Sequence, residues 1–158
     1  MATVKVKSQA YRQFGATVPY GNATTLAFLL ATNAIGAVLN SDSTVAVGIA
    51  DVIDLGPLPE GMRLDDATVL VTTGMTATIT GSLGFVYEDG VNSTEVPQDA
   101  AYFGAGIDLA AVGRKRASGS KLIKLPKPAR LILTTAVAAN AKVSDIKILV
   151  TGELLGAL

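Results

Sequence analysis

A chain of 158 residues is long enough for one domain with a proper core. Only 16% of its residues are charged, 49% are apolar, and 13 basic residues cancel 13 acidic ones, a balance that argues against nucleic acid or an anionic membrane as main partner. Cysteine and histidine are both absent, which removes disulfides, thiolate nucleophiles, the usual zinc sites and all imidazole chemistry.

The first twenty residues carry Lys5, Lys7 and Arg12, and no acid precedes Asp42. Lys5 and Lys7 share one parity with Thr3, while Val4 and Val6 take the other. That alternation fits a short strand or a basic arm extended on a surface, ending near Pro19 and Gly21. The stretch lacks the continuous apolar segment of a secretory signal. Residues 21–41 hold no charge, but Thr24, Thr25, Thr32, Asn33, Gly36 and Asn40 favour a buried strand and a turn over a membrane span. Thr24–Thr32 is apolar on both faces, which fits a central strand or a short helix. Asn33–Ser43 then reads as a loop. Over Thr44–Leu55, Val45, Val47, Ile49, Ile53 and Leu55 share a parity that Asp51 interrupts. Gly56-Pro57-Leu58-Pro59-Glu60-Gly61 is expected to stop that strand, since proline lacks a ladder N–H and glycine permits positive φ.

Alternation resumes over Ala67–Thr73. It is clearest over Thr76–Glu88, where Ala77, Ile79, Leu83, Phe85 and Tyr87 lie on one face with Gly81. Thr76, Thr78, Thr80, Ser82 and Glu88 lie on the other. Following Ala67–Val71, this stretch reads as part of a meander, its nearly uncharged threonine face suited to packing on another copy or on a shell. Asp89-Gly90 is strong turn chemistry. Periodicity then fades. Asp99–Phe103 is a short candidate strand and Gly113–Lys121 a basic loop. Leu122–Leu125, Arg130–Thr135 and Asp145–Leu154 read as strands. Seven to nine strands without an amphipathic helix predict an all-β antiparallel sandwich. Jelly-roll topology fits that number. The chain divides into an extended arm, 1–20, and one sandwich domain, 21–158.

No catalytic, cofactor-binding or metal-binding constellation emerges. Asp51, Asp54, Asp65 and Asp66 are the densest acids, but they lack the spacing of a calcium loop, and aspartates at strand ends commonly cap turns. Gly113–Lys121 has five residues between its glycines and Ser before Lys, so it does not match a phosphate loop. The interface candidates are Lys5, Lys7, Tyr11, Arg12, Phe14 and Tyr20 in the arm, because aromatics and arginine anchor interfaces. Arg114, Lys115 and Arg116 join them as a basic cluster; without a stacking aromatic beside it, that cluster does not suit single-stranded nucleic acid.

Asp51–Val71, DVIDLGPLPEGMRLDDATVLV, runs strand, Leu55-Gly56-Pro57-Leu58-Pro59-Glu60-Gly61 turn, strand. With this turn and the extended N-terminus, the chain resembles tailed-phage capsid decoration (cement) proteins of the β-sandwich or jelly-roll type. The resemblance implies a non-enzymatic, cofactor-free virion protein on the outer surface of the head, made in the bacterial cytoplasm. It implies major capsid protein and further copies of itself as partners, a homodimer before a homotrimer, and no specific nucleic acid or membrane. In such a role residues 2–20 would add a strand to a neighbour's sheet edge. A tail or baseplate component and a carbohydrate- or receptor-binding sandwich are the alternatives, though the chain has no tryptophan for a sugar platform. A hydrolase relying on Asp65 or Asp66 alone is the remotest.

Overall fold

The computed structural model describes residues 1–6, 23–117, 119 and 121–156. Among them no helix forms, so none is long and apolar enough to cross a membrane. The strands are β1 (Thr3–Lys5), β2 (Ala23–Thr32), β3 (Val52–Leu58), β4 (Met62–Thr73), β5 (Thr80–Tyr87), β6 (Asp99–Asp108), β7 (Gly113–Ala117), β8 (Ile123–Lys124), β9 (Ala129–Ala136) and β10 (Ser144–Leu154). One sheet has the order β1-β3-β9-β5-β6; the other has β2-β10-β4-β7, with β8 also paired to β4. All pairings are antiparallel except β1 with β3. The fold is an all-β sandwich.

Period-two alternation decides which side chains meet between the sheets. Leu26, Phe28 and Leu30 of β2, Ile146, Ile148 and Val150 of β10, and Val69 and Val71 of β4 are buried from one side. Leu83 and Phe85 of β5 and Leu131 and Leu133 of β9 meet them from the other. Each such side chain contributes about 1.5–3 kcal/mol relative to exposure. Asp51 and Asp42 fasten β1 from outside: the Ala2 N–H donates to Asp51 Oδ1 at 2.8 Å and the Lys5 N–H to Asp42 Oδ1 at 2.9 Å.

Several expectations are corrected. Thr44–Ala50 is a set of turns and isolated bridges rather than a strand, and β3 begins at Val52. Nor does β3 stop at Gly56: it runs to Leu58, and only residues 59–61 turn. The register shifts between Asp54 and Gly56, and this bulge lets Leu55 and Leu58, three apart, both face the core. Pro57 sits beside that irregularity, where strands tolerate proline. Gly113–Ala117 is a strand paired to β4 rather than a basic loop. β2 is the outermost described strand of its sheet rather than a central one. β5 is not part of a meander with β4, because the two lie in different sheets; its neighbours are β9 and β6.

Candidate interaction surface

The structure separates the predicted interface residues. Lys5 is exposed on β1, at one side of the sandwich. Arg114, Lys115 and Arg116 lie on β7, at the other side: β2 packs near β3, whereas β6 packs near β7. Lys7, Tyr11, Arg12, Phe14 and Tyr20 lie outside the described residues. Strand alternation also divides the basic triplet. Lys115 pairs with buried Val69 and bends its amine onto the Ala111 carbonyl. Arg114 and Arg116 point to the outer face, opposite Leu70 and Thr68.

Register places these arginines at the end of two rows across the outer face of the second sheet. One row runs Leu29, Lys147, Leu70, Arg114; its neighbour runs Ala27, Leu149, Thr68, Arg116. Leu70 and Leu149 hold the middle, with Lys147, Arg114 and Arg116 beside them. Arg116 donates to Asp66 Oδ2 at 2.7 Å. Arg114 and Lys147 have no acidic partner among the described residues, so their charge remains available to an acidic surface.

The dense acids have separate duties. Asp51 accepts from Ala2 and, at 2.7 Å, from the Gly48 N–H; these backbone donors hold its carboxyl below the usual carboxylate range. Asp54 takes a forked contact from Arg130, with Nε 3.0 Å from both oxygens. Asp65 accepts from Arg63 at 2.6 Å and is likewise lowered by that guanidinium. Among the described residues no three metal-ligating side chains gather.

Sequence reasoning missed the end of the sandwich where β2 and β9 stop and β3, β5 and β10 start. Its centre is Asn140, 1% exposed. The Asn140 Nδ2 donates to Thr32 Oγ1 at 3.1 Å and to the Lys142 carbonyl at 2.9 Å. Its Oδ1 accepts from the Thr76 N–H at 3.1 Å and from Thr76 Oγ1 at 3.2 Å. Thr76 was expected on a wet packing face; it is tied into this knot instead. Thr80, Ser82 and Val86 are half-buried on the outer face of the first sheet. Gly36, at φ 86°, lies so close that a Cβ there would come 2.2 Å from the Asn140 carbonyl oxygen. Around this knot Ile35, Ile49, Val112, Val137 and Val143 are all exposed. The legible signal was a set of inter-strand segments that are apolar instead of charged.

No known protein family matches the chain, and no curated protein does. Two solved structures do. One is a chain of the capsid of Ralstonia phage GP4, 20% identical, with a TM-score of 0.65 over 99% of this chain and 100% of that one. The chain shares its fold with phage capsid chains. The second, from the capsid asymmetric unit of cyanophage Pam1, is 17% identical, with a TM-score of 0.58 over 94% of this chain and 96% of that one. Both matches run nearly end to end, so the likeness is of whole sandwich to whole sandwich.

Proposed function

We propose that the protein is a structural component of a phage virion, a decoration (cement) protein bound to the outer surface of the head. The observation that carries this reading is the nearly end-to-end likeness to chains from two phage capsids. The strand order supports the jelly-roll form of the sandwich. Setting β1 and β8 aside, β2-β10-β4-β7 faces β3-β9-β5-β6, the arrangement left when one long hairpin is rolled up into two Greek keys. A surface whose densest acids, Asp51, Asp54, Asp65 and Asp66, hold backbone groups and arginines suits a protein that acts by binding and catalyses nothing.

In this role the outer face of the second sheet meets the shell protein, with Leu70 and Leu149 at the centre and Arg114 and Lys147 reaching acidic groups. In this reading Arg114 and Arg116 of the expected basic cluster face the shell, whereas Lys115 turns its amine to the Ala111 carbonyl. Many copies on a symmetric shell let such modest contacts act together. The test is co-sedimentation with purified heads that lack the protein, followed by labelling of whole particles. Saturable binding and label on heads are expected; label on tails, or no binding to heads, overturns the reading. Replacing Arg114 and Lys147 by glutamate should weaken binding about tenfold or more at low salt, with a smaller difference at high salt.

A further inference from the structure

Three features mark the end of the sandwich around Asn140. The first is its apolar character. Ile35 (61% exposed), Ile49 (58%), Val112 (70%), Val137 (60%) and Val143 (52%) crown the loops there. Together they expose roughly 500 Å², the size at which an apolar patch on a monomer is often functional. The opposite end carries Glu60, Glu88, Asp89, Glu95, Lys121 and Lys127 in its connections.

The second is backbone strain. Among the described residues four non-glycine residues have positive φ: Asn40 at 55°, Ala50 at 60°, Thr78 at 71° and Val137 at 77°. The last three are in the connections that meet at this end. For β-branched threonine and valine the conformation is a genuine outlier costing about 1–3 kcal/mol. Exposure gives Val137 no compensating burial within the chain. The third is charge. Among the described charged groups here Asp51 and Asp145 are half-buried, whereas the exposed ones are Asp108, whose Oδ1 accepts from the Ala110 and Ala111 N–H groups, and Lys142. These line one depression of about 430 Å³ with Met75, Ala77, Thr78 and Ala110, and no ion pair joins them among the described residues. An acid and a base across one hollow are self-complementary: a two-fold-related copy sets Lys142 against Asp108 twice.

We infer that this end is the contact through which two copies of the chain join, end to end about a two-fold axis. Pairing removes roughly 1,000 Å², the lower bound for a specific interface, so the dimer is reversible. Asn140 holds the loops in place, so little ordering entropy is lost on contact.

Sedimentation equilibrium of the full chain tests this without any shell, so its outcome is separate from that of head binding. A dimer that grows with concentration is expected. Ile49→Lys and Val137→Lys should each weaken it about tenfold or more, equivalent to 1.4 kcal/mol, with an unchanged far-ultraviolet spectrum. Leu122→Lys, at the opposite end, should leave it intact. Because the chain has no cysteine, single-cysteine variants at the five crown positions give a second readout. At least one should form a disulfide-linked dimer where Leu122→Cys does not. A wild-type monomer at all concentrations, a dimer indifferent to both lysines, or no cross-link at any crown position overturns the inference. So does a monomer in which Val137→Lys abolishes head binding, since the shell is then the occupant.

Discussion

Asn140 shows how one side chain can govern a region. Its amide satisfies groups on β2, on the connection before β5 and on the connection before β10, and its own N–H donates to the Val47 carbonyl at 2.8 Å. Replacement by alanine leaves the Thr76 N–H without its acceptor and the Lys142 carbonyl with Thr32 Oγ1 as its remaining donor. The expected loss is about 2–3 kcal/mol, which for a chain of this length lowers the melting temperature by roughly 4–12 °C. Thermal unfolding followed by circular dichroism measures it. A fall of less than 2 °C would mean that water replaces the amide readily. The same knot was hidden from the sequence for a physical reason. Its members, Thr32, Thr76 and the nearby pair Asn140 and Ser144, come from three distant stretches of the chain and are residue types that equally suit solvated turns.

At the scale of elements, alternation was a faithful guide wherever a strand stays in register. β9 and β10 were legible because Leu131, Leu133, Ile146 and Ile148 each face the core at a strict spacing of two. Bulges removed that guide. β6 departs from β5 so that Leu83 faces Gly104 but Phe85 faces Asp99; five residues of one strand span two of the other, and the period vanishes. At the crossing, Gly84 lets the β6 backbone approach. A Cβ there would lie 2.1 Å from the Asp99 carbonyl oxygen and 2.3 Å from the Ala100 carbonyl carbon. Main chain on both sides leaves nothing cheap to move, so Gly84→Ala should cost about 3 kcal/mol. The denaturant midpoint should drop, while Ser82→Ala beside it stays near wild type. β7 escaped notice for a different reason: a run of Arg-Lys-Arg suggests solvent, yet β4 supplies a partner for its backbone.

For the molecule as a whole, the missing histidine shapes the response to pH. Asp51 and Asp108 are held below the ordinary carboxylate range by backbone donors, and Asp65 and Asp89 by Arg63 and Lys127. A lowered folded-state value means stability that is present above the unfolded value near 4 and is lost as pH falls through the folded one. Burial raises the hydroxyls of Tyr87 and Tyr102. Their contribution is intact below the unfolded value of about 10 and is lost as pH rises through the raised one. Melting temperatures should therefore be level from roughly pH 5 to 9 and decline below 4 and above 10. A step between pH 5.5 and 7.5 in the same melts would contradict this. Sandwich class was legible from the sequence as a whole; the assignment of strands to sheets was not, since β3 and β4 look alike in pattern but lie in different layers.

The position of β10 also sets a clock on synthesis. It is made after every other described strand, yet it lies between β2 and β4, pairing with both along its length. Until it leaves the ribosome, Leu26, Phe28 and Leu30 have no sheet to belong to. At about 5–20 residues per second the wait between β2 and β10 is roughly 6–22 s. During that interval the nascent chain exposes one of its most apolar stretches, so chaperone occupancy should concentrate there, and nothing can be assembled from this protein until β10 is in place.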